Sequence, residues 1–140
     1  MANFFDDIAN AIINAFSGTG HGKVPQPDTS MLVKDYKFCR GLKCTVSRRV
    51  TKILEAHPEK RYKFGKTGKG VSRAEWKGYI EASYHKMYFL YESTSSSHVD
   101  DLEVYYIKKH KEIYHNDNER DTDADRMSRE SGRYHVYLMI

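Results

Sequence analysis

The run Arg61-Tyr62-Lys63-Phe64-Gly65-Lys66-Thr67-Gly68 sets three cations among two aromatic rings and two glycines. Arg73 follows shortly after, then Asp101-Leu102-Glu103, then Asn116 and Asn118. Cations of this density can meet the oxygens of a phosphate, and a carboxylate is the donor type that hard metal ions take. Other chemistries fail on spacing. A nucleotide-cradling loop ending in Gly65-Lys66-Thr67 requires glycine at position 60, which is Lys60, and Gly70 is followed by Val71 rather than lysine. Asp121, Asp123 and Asp125 alternate like the start of a calcium loop. The sixth position is Arg126 and the twelfth Gly132, so the tight turn and the bidentate ligand are both missing. No His-Glu-x-x-His pattern occurs. Cys39 and Cys44 have no further Cys or Cys/His pair to complete a zinc quartet, and they read as reduced thiols of an intracellular protein.

The elements that would carry these residues can be read from periodicity. Residues 2–16 repeat apolar side chains at helical spacing (Phe5, Ile8, Ile12, Phe16). Gly18, Gly20, Gly22, Pro25 and Pro27 then form a tether, so residues 1–30 read as a helix and linker and 31–140 as the main domain. That helix docks on a protein partner or folds back on its own domain. Its lack of basic residues argues against a membrane surface. Further along, the pattern predicts a strand at Met31–Phe38, a helix at Ser47–Ala56 ended by Pro58, and a strand at Arg61–Gly65. A helix follows at Ser72–Ser83, with Ser72 and Glu75 spaced as a capping box. Then come a strand at Lys86–Glu92, a helix at His98–Ile113, and a terminal strand at Arg133–Ile140. Residues 116–133 read as loop.

Charge is unevenly spread. The chain of 140 residues is +4 overall, but residues 31–91 hold 15 basic against 5 acidic side chains. A segment that cationic points to an anionic partner, nucleic acid first. No apolar run reaches the roughly 18 residues of a membrane span. Residues 2–16 also lack the basic start of a secretory signal.

The order Lys63-Phe64-Gly65-Lys66-Thr67, then Arg73, Glu103 and an asparagine resembles the GIY-YIG nuclease superfamily. The likeness is to the branch, common in phages and large viruses, whose second motif reads Lys-Ile-Gly-x-Thr. It spans residues 60–118, and more loosely 31–140. It implies an α+β fold: a small, three-stranded, mainly antiparallel sheet flanked by helices, here with the tethered N-terminal amphipathic helix added. It also implies an endonuclease acting on DNA with one Mg²⁺ or Mn²⁺ ion bound by Glu103. Arg73 would stabilise the phosphate, Lys63 would stand in the second-motif tyrosine position, and Tyr62, Gly65, Asn116 and Asn118 would support the site. The first-motif tyrosine has no counterpart in residues 45–53. The expected substitute is Tyr36, with Gly41–Pro58 inserted as a basic helix between the two strands of a hairpin. Tyr62 is the alternative, although neighbouring strand residues face opposite sides.

Arg48, Arg49, Lys52, Arg61, Lys66 and Lys69 form the expected DNA-binding margin, which positions a backbone without reading sequence. The viral branch places such a protein inside the host cell or in association with the virion. The competing reading is a non-catalytic basic module that binds or packages nucleic acid and docks to a partner through residues 2–16.

Overall fold

The computed structural model describes residues 23–34, 37–113, 115–118 and 132–140. The N-terminal helix of residues 2–16, Tyr36 and the acidic run at 121–125 lie outside them. The elements run β1 (Gln26–Asp28), β2 (Val33–Lys34), α1 (Arg40–Ala56), β3 (Lys63–Thr67), a 3₁₀ turn (Gly70–Glu75), α2 (Lys77–Glu81), β4 (Lys86–Ser93), α3 (Ser96–His110) and β5 (Tyr134–Met139). They form an α+β fold around a five-stranded mixed sheet rather than a three-stranded one. None of the described helices is long and apolar enough to cross a membrane.

The antiparallel centre is β4-β5-β3, and β1 and β2 both add in parallel along the outer side of β4. Two expectations are corrected by this pairing. Gln26–Asp28, read as part of a Pro-rich tether, is a strand in register with Lys86–Tyr88. Its one proline, Pro27, is tolerated because an edge strand need not donate on its outer side. The strand at Met31–Phe38 reduces to Val33–Lys34 among the described residues and pairs with Tyr91 and Glu92 of β4, not with β3. No hairpin therefore joins it to Lys63, and β4 and β5 lie between them.

β5 is central and buried on both faces, as its nearly continuous run Val136-Tyr137-Leu138-Met139 requires. One face carries α1 and α3, with Leu42, Val46, Val50 and Ile53 of α1 and Val99, Leu102, Tyr106 and Ile107 of α3 in the core. The other face carries the 3₁₀ turn and α2 over Met87, Phe89, Tyr137 and Met139. An irregularity between Phe89 and Tyr91 turns both Leu90 and Tyr91 toward the first face.

Helix α1 begins at Arg40, seven residues before the Ser47 cap expected from sequence. Its cap residue, Cys39, makes no side-chain cap bond, so no residue type marks the start. The expected helix at Ser72–Ser83 is two pieces. Trp76 is extended (φ −60°, ψ 129°), ending the 3₁₀ turn and starting α2. The Ser72 hydroxyl donates to the Lys69 carbonyl at 2.7 Å instead of capping an N–H.

Candidate functional site

β3 is the edge strand of the sheet. A cleft of about 540 Å³ opens beside it, lined from β3, the 3₁₀ turn, α2, α3 and β5. Lys63, Gly65, Lys66, Arg73 and Glu103 all border it, as do Arg61 and Asn118. Residues dispersed over the sequence are thus brought to one concave surface.

On the 3₁₀ side, β3 and β5 run antiparallel with Gly65 directly opposite Tyr137. A Cβ at Gly65 would fall 2.4–2.7 Å from the tip of the Tyr137 ring, so only glycine admits the tyrosine there. The Tyr137 and Tyr79 hydroxyls are hydrogen-bonded to each other. Arg73 stands against both, its guanidinium 5.4 Å from the Tyr79 ring centre and 4.8 Å from that of Trp76. The Arg73 Nε is buried without a hydrogen-bond partner, while the guanidinium hydrogen-bonds to the Tyr137 and Tyr79 hydroxyls. Burial pushes the Tyr137 phenol well above its ordinary pKa, against the opposing pull of Arg73, so it is a neutral hydroxyl in the physiological range.

On the helical side, Lys66 donates to Asp100 at 2.6 Å and stands 3.7 Å from the Glu103 Oε1. The Lys66 side chain is 6% exposed and that of Glu103 1%. Burying this carboxylate requires such a partner, since an isolated buried charge is costly. Among the described residues no group of three or more His, Cys, Asp or Glu side chains converges on a metal position. Glu103 alone is a minimal donor: a hard ion such as Mg²⁺ or Mn²⁺ there would take its remaining ligands from water and phosphate oxygens. The tighter contact of Lys66 is to Asp100, which leaves the Glu103 carboxylate in the looser of the two pairings.

The remaining candidates divide. Asn118 accepts from the Phe64 N–H and donates to the Phe64 carbonyl, both at 2.9 Å, acting as a one-residue strand on the free edge of β3. Asn116 donates to the His110 carbonyl and accepts from the Asn118 N–H, each at 2.8 Å. Both side chains hold backbone. Tyr62 faces the opposite side from Lys63, is 3% exposed among core aromatics, and cannot serve as the missing tyrosine. Arg61 pairs with Asp117 at 3.5 Å and lies over the Tyr84 ring.

Of the expected margin, Arg48 and Lys52 are exposed on α1 and Lys69 follows β3, and none of the three lines the cleft. Arg49 donates to the Met31 carbonyl and ties α1 to the segment before it. Tyr79, Tyr137 and Trp76 were missed by sequence reasoning. The search for a tyrosine ran upstream of Lys63, whereas the strand paired with Lys63 comes from the far end of the chain. The usable signal was the tyrosine inside the doubly buried run of β5. No family model, curated protein or solved structure matches the chain.

Proposed function

We propose that the protein is a metal-dependent DNA endonuclease of GIY-YIG type in which β5, rather than a strand preceding β3, supplies the first-motif tyrosine. The observation that carries this reading is the placement of Tyr137 across from Gly65, with Arg73 beside its hydroxyl. The resemblance asks for a tyrosine on the strand paired with the second motif. In chain order it is absent; Tyr137, on the strand paired with β3 and opposite Gly65, is the tyrosine that supports the reading. Tyr137 replaces Tyr36 in the proposal, since the strand leading to Tyr36 pairs on the far side of β4.

In the reaction, a water oxygen bonds to phosphorus, a phosphorus–oxygen ester bond breaks, and the leaving oxygen takes up a proton. Arg73, whose guanidinium borders the cleft beside the Tyr137 hydroxyl, stabilises the charge that grows on the non-bridging oxygens. Tyr137, kept neutral by burial, accepts a hydrogen bond from the water and aligns it, and Lys63 adds a cation at the cleft wall. Glu103 would hold Mg²⁺ or Mn²⁺, which supplies further charge neutralisation at the phosphate. Lys66 orients that carboxylate.

A supercoiled-plasmid assay tests the proposal, with Mg²⁺, Mn²⁺ or chelator, on the wild type, Glu103→Gln, Arg73→Ala and Tyr137→Phe. Metal-dependent nicking lost in all three variants supports it. Plasmid retarded but uncut in every lane supports instead the binding or packaging module. That second reading has one observation in its favour, the burial that holds Tyr137 un-ionised.

A further inference from the structure

Trp76 is 48% exposed, unusual for the largest apolar side chain, and lies on the wall of the cleft. It is held firmly for a surface residue. Its ring rests on Gly78, where a Cβ would come within 2.5 Å of the indole, and Tyr79 abuts it edge-on with ring centres 4.8 Å apart. The Arg73 guanidinium stands 4.8 Å from its ring centre. The backbone at Trp76 is extended and splits the expected helix in two at this ring. The indole is thus half in water at the cleft wall, with the Arg73 guanidinium over its ring and the exposed part of its surface open to the cleft's solvent.

We infer that Trp76 is a stacking platform for an unpaired nucleobase, so that the nucleic acid engaged by this cleft carries a single-stranded nucleotide next to the phosphate bound by Arg73. This deepens the nuclease reading and rests on it for the position of the phosphate. Three features converge on that ligand. A cleft of about 540 Å³ is in the range of small-molecule sites and has room for one nucleotide. Arg61, Lys63 and Arg73 border the same space and complement a phosphate, which a neutral apolar ligand would leave unmatched. An aromatic face beside a cationic track is the arrangement by which unpaired strands are held without sequence preference.

Trp76 is the one tryptophan in the chain, so its fluorescence reports this ring alone. The full protein, in chelator to prevent cleavage, is titrated with a short single-stranded oligonucleotide and with a blunt duplex of equal length. Quenching by the single strand and little or none by the duplex is expected. Trp76→Leu, which keeps apolar cover without a π face, should weaken single-strand binding about tenfold and leave duplex binding unchanged, while Trp76→Phe keeps most of the affinity. Gly78→Ala should displace the indole and reduce the quenching, with no penalty to α2 because alanine favours a helix. Equal quenching by blunt duplex, no quenching by either, or unchanged affinity in Trp76→Leu overturns the inference. Selective quenching in a protein that never cuts with Mg²⁺ or Mn²⁺ retains the platform and removes the nuclease. Absence of any nucleic-acid binding removes both.

Discussion

Tyr62 and Tyr137 differ in what their hydroxyls meet, and the same substitution should separate them. The Tyr62 hydroxyl is buried without a hydrogen-bond partner, and burial raises its pKa. Tyr62→Phe removes an unsatisfied polar atom and is expected to raise stability by about 1 kcal/mol with cleavage intact. Tyr137→Phe breaks the bond to Tyr79 and the contact with Arg73. It should cost about 1 kcal/mol in denaturant unfolding and abolish cleavage. Equal cleavage by the two variants would remove Tyr137 from the site. His110 offers a test by pH. It sits among Tyr62, Phe64 and Tyr106, and its Nδ1 faces the Tyr106 carbonyl at 2.9 Å. Burial lowers its pKa, assisted by nearby Lys109 and opposed by the Tyr106 carbonyl. The unfolded chain therefore binds a proton below about pH 6.5 that the folded one resists, and stability falls as pH drops through that value toward the lowered one. Thermal melts between about pH 7 and pH 5 should show a shallower decline in His110→Phe than in the wild type. At this scale the resemblance grouped Arg73, Lys63 and Glu103 in advance, and all three border one cleft. Tyr137 was not among them, since no spacing rule reaches from Gly65 to a partner strand so distant in the chain.

Elements were legible where a periodic apolar stripe coincided with a stop or start signal. β4 matches within one residue, and the polar run 93–97 gives the start of α3, where the Ser95 side chain accepts from the His98 N–H at 3.3 Å. Legibility failed where tertiary pairing overrode local signals. Gln26-Pro27-Asp28 reads as linker and becomes a strand only because β4 offers an edge. The start of α1 has no side-chain cap, and its first turns are held by burial of Leu42 and Val46. The helix broken at Trp76 had a good capping pattern that the fold does not use. The Ser95 cap yields a prediction at this scale. Ser95→Ala should lower stability by about 1 kcal/mol in urea titration, because one N–H of the first turn loses its acceptor. Glu103 lies two turns further into α3 and joins the core, so metal dependence of cleavage should be unchanged. A loss of metal response in Ser95→Ala would mean that the helix start, and not the Lys66 pairing, sets the position of the carboxylate.

For the whole molecule, the excess of positive charge at 31–91 overstates the surface that faces a substrate. Arg49 is taken up by the Met31 carbonyl and Lys66 by Asp100 and Glu103, while Arg61 leans on Asp117. The charged residues on α1 stand on the face of the sheet opposite the 3₁₀ turn and α2, so cleft and helix do not present one continuous cationic surface. If the nucleic acid enters the cleft, the cations that meet its phosphates are Arg61, Lys63 and Arg73, with Lys66 screened by its two carboxylates. Each phosphate neutralised contributes about 0.7 to 0.9 to the slope of log affinity against log salt, so three contacts give a shallow slope, about −2 to −3. Arg48→Ala with Lys52→Ala should leave that slope unchanged, whereas Lys63→Ala should reduce it by about one phosphate's share. A slope near −10 in the wild type, falling in the α1 variant, would instead put a long duplex across α1 and make the cleft a minor contact. That outcome would favour the packaging module, because a surface that grips many phosphates at a distance from Arg73 has no need of an ordered pair of tyrosines.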